Sequence, residues 1–228
     1  MRLAYSVLLI FVLAVALPLV AQDFVTPSAY FEEASRKFGA VQDMTADISI
    51  FQGEDDEEPM VGKLQYKNPN KLRIDFSRPR EQVLDVNGDL LTVYVPRYSY
   101  VLEQKLQRKS EGTLAMMASK KELAYLRNNY SVAYLVGPDP VPLEEGSKEM
   151  VVKLKFQSLS SAEGFRQLEI AFDENKMIRR VTGSTGTGTI IMDYRNLRID
   201  QGIPDAAFDY EAPANANVFR NFLFEVIE

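Results

Sequence analysis

Apolar and polar residues alternate along most of the chain after residue 40. From Met44 to Ile50 every second residue is apolar, and the same alternation returns from Leu72 to Phe76. This period of two is typical of a strand with one face in the core and the other in water. The pattern therefore predicts a sheet with one apolar and one wet face.

The alternation predicts about eleven strands joined by short turns. The pair Asn87–Gly88 is typical of a type I′ hairpin, and Asp173–Lys176 turns a second hairpin. Short connections make neighbouring strands antiparallel. Six strands are predicted before residue 103, and five more at 130–136, 150–156, 166–172, 177–182 and 189–197.

Two stretches have a helical pattern instead. Thr26 is a good N-cap, Pro27 suits a first helical position, and Gly39 is expected to end the helix. A second stretch, residues 113–129, predicts one or two short helices that begin with Leu114, Met116 and Met117. A sheet of this many twisted strands curls, and its apolar face needs a cover, so we predict a curved sheet with a helical plug.

The composition limits the chemistry available to this chain. Its 228 residues include no Cys, His or Trp, which removes Ser-His-Asp triads, cysteine nucleophiles and ordinary zinc sites. We expect no enzyme activity, no metal and no cofactor. One alternative stays open, a hydrolase that uses carboxylates such as Asp85 or Asp193.

The N-terminus has the pattern of a secretory signal peptide. Arg2 is followed by an uncharged run from Leu3 to Ala21, and polar sequence starts at Gln22. We expect cleavage after Ala21 and a single mature domain over residues 22–228; the alternative is an uncleaved membrane anchor. The mature chain has 25 basic and 32 acidic residues, a net charge of −7, which argues against nucleic acid as a partner.

Two interpretations of the apolar face compete. In the first, the helices fill the concave side and the alternating residues form an ordinary core. In the second, a few short helices leave a cavity for acyl chains, and the methionines of residues 113–129 adapt to varied apolar ligands. The predicted lining consists of Met44, Ile48, Ile50, Leu64, Tyr66, Leu72, Ile74, Phe76, Leu114, Met116 and Met117.

Short segments follow one another in a recognisable order between residues 50 and 213. They are Ile50–Gln52, Gly62–Leu64, Lys67–Asn70, Pro79, Asn87–Gly88 with Leu91, Tyr94 and Pro96, Leu168–Asp173, and Ala207–Tyr210 with Pro213. Their order resembles that of the periplasmic lipoprotein carriers called LolA. The resemblance implies a mainly β fold with a few helices (α+β): an open, incomplete antiparallel β-barrel of about 11 strands, covered by a short helical lid.

The resemblance also implies a function. LolA proteins take acylated lipoproteins from an inner-membrane ABC exporter, carry the acyl chains through the periplasm, and deliver them to an acceptor at the outer membrane. It further implies a monomer. The alternative is a lipid- or lipoprotein-binding sensor on the same fold, which an uncleaved anchor would favour.

Two positions depart from the family pattern or stand outside it. The family latches its lid with an Arg in the turn that here holds Asn68. Lys67, Lys71 and Arg73 are the nearby candidates to replace it. The apolar stretch 218–227 is expected either to pack on the barrel or to dock with a membrane partner.

Overall fold

The computed structural model describes residues 25–53, 58–106, 120–160, 165–186 and 188–222. The expected signal peptide lies outside these ranges. So do Leu114, Met116 and Met117, and the last residues of the apolar C-terminal stretch. The predicted limits of the mature domain stay a prediction.

The first helix begins and ends where its sequence predicts. Helix α1 spans Pro27–Gly39, and the side chain of Thr26 accepts a hydrogen bond from the backbone N–H of Ala29 at 3.2 Å. Its C-terminal cap is Ala40 in the right-handed conformation, so the helix ends at Gly39 without the left-handed glycine that the sequence suggested. Helix α2 spans Lys120–Asn129. Neither described helix is long and apolar enough to cross a membrane.

Thirteen strands form one continuous sheet. Their order is β13-β6-β5-β4-β3-β2-β1-β12-β11-β10-β9-β7, with β8 paired to β9 beside this path. Sequence neighbours mostly pair, as short turns require. The exceptions on this path are the pairings of β12 with β1, of β9 with β7 and of β13 with β6. The strands are β1 (Asp43–Gln52), β2 (Met60–Lys67), β3 (Lys71–Arg78), β4 (Val83–Asn87), β5 (Leu90–Val95), β6 (Tyr100–Lys105), β7 (Tyr130–Tyr134), β8 (Val141–Pro142), β9 (Met150–Ser158), β10 (Gln167–Phe172), β11 (Ile178–Ser184), β12 (Thr189–Ile199) and β13 (Asn217–Arg220).

The mainly β, open-sheet fold is confirmed, with two strands more than predicted. Strand β8 has two residues and β13 four, too few for an alternating pattern to show. The pairing of β13 with β6 is parallel, which departs from the predicted antiparallel sheet. The Asn87–Gly88 hairpin forms, but its loop residues are Gly88 and Asp89. Only Gly88 has positive φ, +72°, as a type II′ turn requires at its first position; a type I′ turn needs positive φ at both.

Alternation places the core on the concave side of this sheet. Strand β1 is buried at Asp43 and then at every second residue from Met44 to Ile50. On the concave side the apolar residues of β1–β4 and β9–β12 join α1 in one hydrophobic cluster. A 3-10 turn, Asp205–Phe208, and the residues around it cross the opposite, convex side.

Candidate functional site

Eight of the predicted lining residues come together on three adjacent strands. Met44 lies directly opposite Tyr66, which lies opposite Leu72. Residues opposite each other in a sheet share a face, so the three strands present one apolar surface. All eight are at most 6% exposed: Met44, Ile48, Ile50, Leu64, Tyr66, Leu72, Ile74 and Phe76.

The same surface continues without a break to the far edge of the sheet. A single cross-strand row joins β1 to β13, one residue per strand, and we call it the apolar row. Exposure rises along it from 2% at Ile74 and 7% at Leu84 to 46% at Phe219. The row consists of Ala46, Leu64, Ile74, Leu84, Val93, Leu102 and Phe219.

Helix α1 covers the other half of the concave side. Phe31 meets Phe156 of β9 edge to face, with 4.8 Å between ring centroids. Tyr30 packs edge to face on Phe172 of β10 at 5.9 Å and on Tyr134 of β7 at 6.2 Å. These ring contacts attach α1 to β7, β9 and β10, while the apolar row runs through β1–β6 and β13.

After β12 the chain crosses the convex side through a segment that we call the C-terminal strap, residues 200–210. Asp43, which is 4% exposed, holds the start of the strap. Its carboxylate accepts hydrogen bonds from the backbone N–H groups of Gln201 at 2.7 Å, Gly202 at 3.0 Å and Ile203 at 3.2 Å. Three backbone donors on one carboxylate give a charge-assisted network. The strap is therefore tied to the sheet through its backbone.

The three cations near Asn68 bind this strap. Lys67 donates to the carbonyl of Ile203 at 2.7 Å and pairs with Asp205 at 2.5 Å. Lys71 lies 3.3 Å from the same carboxylate, and these hydrogen bonds lower the pKa of Asp205. Arg73 donates to Asp75 and to the carbonyl of Ala207 at 3.3 Å. Lys67, Lys71 and Arg73 are thus engaged on the convex side, opposite the apolar face.

Asn68 itself makes a backbone contact at the start of the sheet. Its N–H donates to the carbonyl of Gln42 at 2.8 Å. This bond ties the turn after β2 to the residue that precedes β1.

A buried carboxylate lies beneath the strap. Asp85 of β4 is 4% exposed, and its Oδ1 has no hydrogen-bond partner among the described residues. Burial raises the pKa of Asp85 to about 6; Arg73 opposes the shift, and Asp75 and Asp209 add to it. At a pH above this pKa, the ionised carboxylate of Asp85 is an incompletely paired charge in the protein interior.

The two acids of the hydrolase alternative lie far apart. Asp85 is on β4 and Asp193 on β12, and β3, β2 and β1 stand between them. Four strand spacings amount to about 19 Å, too far for a pair of carboxylates to act on one bond. Asp193 is 2% exposed and pairs with Arg180 at 2.5 Å. This pairing gives Asp193 a structural role.

Three clefts among the described residues open mainly outside the apolar surface. The largest, about 780 Å³, opens between α1, β9 and the β10–β11 turn, and Tyr30, Met150 and Lys176 line part of it. The others measure about 530 and 460 Å³ and are lined mainly by polar residues. Of the eight inward residues, only Leu64 lines one of these three clefts.

Sequence reasoning located the apolar face but missed the strap. Alternation marked each inward position of β1–β3, whereas the strap is held by lysines and arginines that, in sequence, resemble a solvated face. The one available signal was the density of cations at residues 67–73 in an acidic chain.

Comparison with known proteins gives independent evidence of the family. The profile of the family described as "Outer membrane lipoprotein carrier protein LolA" matches residues 51–211. An outer-membrane lipoprotein carrier protein of Bordetella avium (strain 197N) is 23% identical over 159 residues, 70% of each chain. One of Pseudomonas aeruginosa (strain UCBPP-PA14) is 23% identical over 162 residues, 70% of this chain and 71% of that one.

A solved structure has a similar fold. It is an uncharacterized conserved protein from Thermus thermophilus, 14% identical, with a TM-score of 0.53. The match covers 85% of this chain and 98% of that one.

Proposed function

Because the chain belongs to the outer membrane lipoprotein carrier family LolA, we propose that it carries lipoproteins through the periplasm by holding their acyl chains against its concave apolar surface. The observation that supports this most directly is the uninterrupted apolar surface of β1–β3, which presents eight inward side chains. Burying an acyl chain gains about 0.8 kcal/mol per methylene group without a specific polar contact.

The proposed site is the surface formed by Met44, Ile48, Ile50, Leu64, Tyr66, Leu72, Ile74 and Phe76. The sequence predicts that Leu114, Met116 and Met117, which lie outside the described residues, complete it. Because these eight side chains are buried together with α1, loading requires the cover to move. Helix α1 is attached to β7, β9 and β10 by its rings, so movement away from β1–β4 leaves those ring contacts in place.

The proposed route has two further partners. An inner-membrane ABC exporter supplies the lipoprotein, and an acceptor at the outer membrane receives it. Cleavage after Ala21 releases the carrier into the periplasm. The proposal includes no reaction, because Asp85 and Asp193 are far apart, and it needs no cofactor.

The experiment is mass spectrometry of material that co-purifies with residues 22–228 from the periplasm. The proposal predicts acylated proteins or peptides bound to the chain, and their loss in Ile74→Asp, with Thr45→Asp on the wet face of β1 as the matched control. A protein that is empty and fails to bind a diacylated peptide would contradict the proposal. Free lipids without any protein cargo would also contradict it and favour a lipid sensor.

A further inference from the structure

The outer edge of the sheet exposes a cluster of aromatic rings. Tyr98 is 57% exposed, Tyr100 39% and Phe219 46%. The rings of Tyr98 and Tyr100 lie 5.7 Å apart, and those of Tyr100 and Phe219 lie 4.8 Å apart. We call these three residues the aromatic rim. Single exposed apolar residues are ordinary on a protein surface, but a contiguous group marks an interaction site.

The rim is the exposed end of the concave surface. Phe219 ends the apolar row, next to Leu102, and Tyr100 follows on the same face of β6. Within the described residues, β13 has no neighbour on its outer side. An acyl chain that leaves the buried part of the row therefore reaches solvent at the rim.

The rim combines aromatic rings with positive charge. The guanidinium of Arg97 lies 5.6 Å from the centre of the Tyr98 ring. Arg220, the residue after Phe219, lies on the other face of β13, where it pairs with Glu103 at 3.0 Å. In a chain with a net charge of −6, the rim thus presents an arginine, Arg97, next to a tyrosine. Tyrosine and arginine are among the side chains that membrane proteins place at the lipid headgroup level.

We propose that the aromatic rim docks reversibly on the surface of an anionic phospholipid bilayer, with Tyr98, Tyr100 and Phe219 at the headgroup boundary and Arg97 on lipid phosphates. This rests on the proposed function and adds to it the place where acyl chains enter or leave. Docking there joins the apolar row to the hydrocarbon of the membrane, so that a chain passes between them without crossing water. Three rings and one arginine give a weak, reversible attachment, which a shuttle requires.

The test uses the absence of tryptophan from this chain. Tyr98→Trp places a single fluorescent reporter in the rim of the mature protein. With vesicles of phosphatidylglycerol and phosphatidylethanolamine, its emission is expected to shift to the blue, and the protein is expected to float with the vesicles. Vesicles of phosphatidylcholine alone are expected to bind several-fold less, because Arg97 loses its anionic lipid partners.

A matched pair of variants locates the contact. Tyr98→Ser, Tyr100→Ser and Phe219→Ser together are expected to reduce vesicle binding by about tenfold or more. Val136→Ser with Leu159→Ser removes two side chains that are 69% and 67% exposed near the opposite edge, and is expected to bind as the unaltered protein does. Circular dichroism checks that both variants fold.

The outcomes separate this proposal from the carrier function. Equal vesicle binding by the rim variant and the unaltered protein, or no binding by either, would overturn the docking proposal. Sedimentation that shows a dimer which the rim substitutions dissociate would also overturn it and assign the rim to a second copy of the chain. Uptake of a diacylated peptide in detergent-free solution is measured alongside; its absence contradicts the carrier function even where vesicle binding is intact.

Discussion

The ring of Phe31 on α1 stands edge-on to the ring of Phe156 on β9, with 70° between the ring planes. Both side chains are buried, at 2% and 0% exposure. The pair joins α1 to β9, which lies on the far side of β1 from β2 and β3. Among the described residues, the aromatic contacts of α1 are made with β7, β9 and β10 and not with β1–β4.

Phe31→Ala is expected to lower the free energy of unfolding by about 3–5 kcal/mol, because it removes a buried ring and leaves a cavity. Urea denaturation measures the change. Glu32→Ala, on the exposed side of the same helix, serves as the control and should change stability by less than about 0.5 kcal/mol. Similar stabilities for the two variants would mean that α1 is not held by this contact.

Asp85→Asn is expected to stabilise the protein at pH 8 by about 2 kcal/mol and to have little effect near pH 4. The pKa of Asp85 is raised to about 6, above its value in the unfolded chain. Between pH 4 and 6 the native state therefore retains a proton that the unfolded state has released, and stability falls as pH rises. Asparagine removes that dependence.

The measurement for Asp85 is thermal or urea unfolding at several pH values. The exposed Asp139 provides the control, as Asp139→Asn should show the pH dependence of the unaltered protein. A stability difference between Asp85→Asn and the unaltered protein that stays constant from pH 4 to pH 8 would contradict the buried charge.

Asp43→Ala is expected to free the C-terminal strap. Three backbone N–H groups, those of Gln201, Gly202 and Ile203, lose their acceptor, at a cost of about 3 kcal/mol. Hydrogen exchange should show faster exchange in this segment than in β1 itself. Asp47 lies on the same strand but accepts a hydrogen bond from the side chain of Asn196 instead. Asp47→Ala should therefore leave the strap protected from exchange. Unchanged protection in Asp43→Ala would show that the strap is held by other contacts.

Gly62→Ala is expected to destabilise the sheet where β2 meets β3. A Cβ at this position would lie 2.7 Å from the carbonyl oxygen of Asp75 and 3.0 Å from the Cα of Phe76. Since both atoms belong to the backbone, strain of about 1–3 kcal/mol is expected in the unfolding free energy. Gly137→Ala, which meets nothing within 4 Å, is the control. Equal stability of the two variants would show that the backbone of β3 accommodates the added methyl group without a loss of stability.

The fold was predictable where one pattern controlled many residues. From Met44 to Ile50, alternation alone assigns each side chain to a face, because a shift of one residue would turn the whole apolar set outward. The strand β13 gave no such pattern, since all four of its residues are exposed. Its parallel pairing with β6 depends on single backbone contacts such as Asn217 N–H to the Ser99 carbonyl at 2.8 Å, which sequence does not reveal.

The apolar face was predictable from the sequence, and its polar surroundings were not. Leu64, Leu72 and Ile74 follow from periodicity and meet across the strands as expected. Lys67 and Arg73 were considered as substitutes for a lid latch, yet they bind carbonyls of the strap on the convex side. A backbone carbonyl carries no side-chain signal, so such partners are found only in the folded chain.

The most direct test of the central claim is photocrosslinking with a diacylated peptide that carries a photoreactive group in its acyl chain. After irradiation, peptide mapping locates the attachment. The carrier account predicts saturable labelling of inward residues such as Ile48, Leu72 and Ile74, competed by an unlabelled diacylated peptide and not by its deacylated form. Labelling on the convex face, or labelling that never saturates, would contradict the claim that the concave surface holds acyl chains.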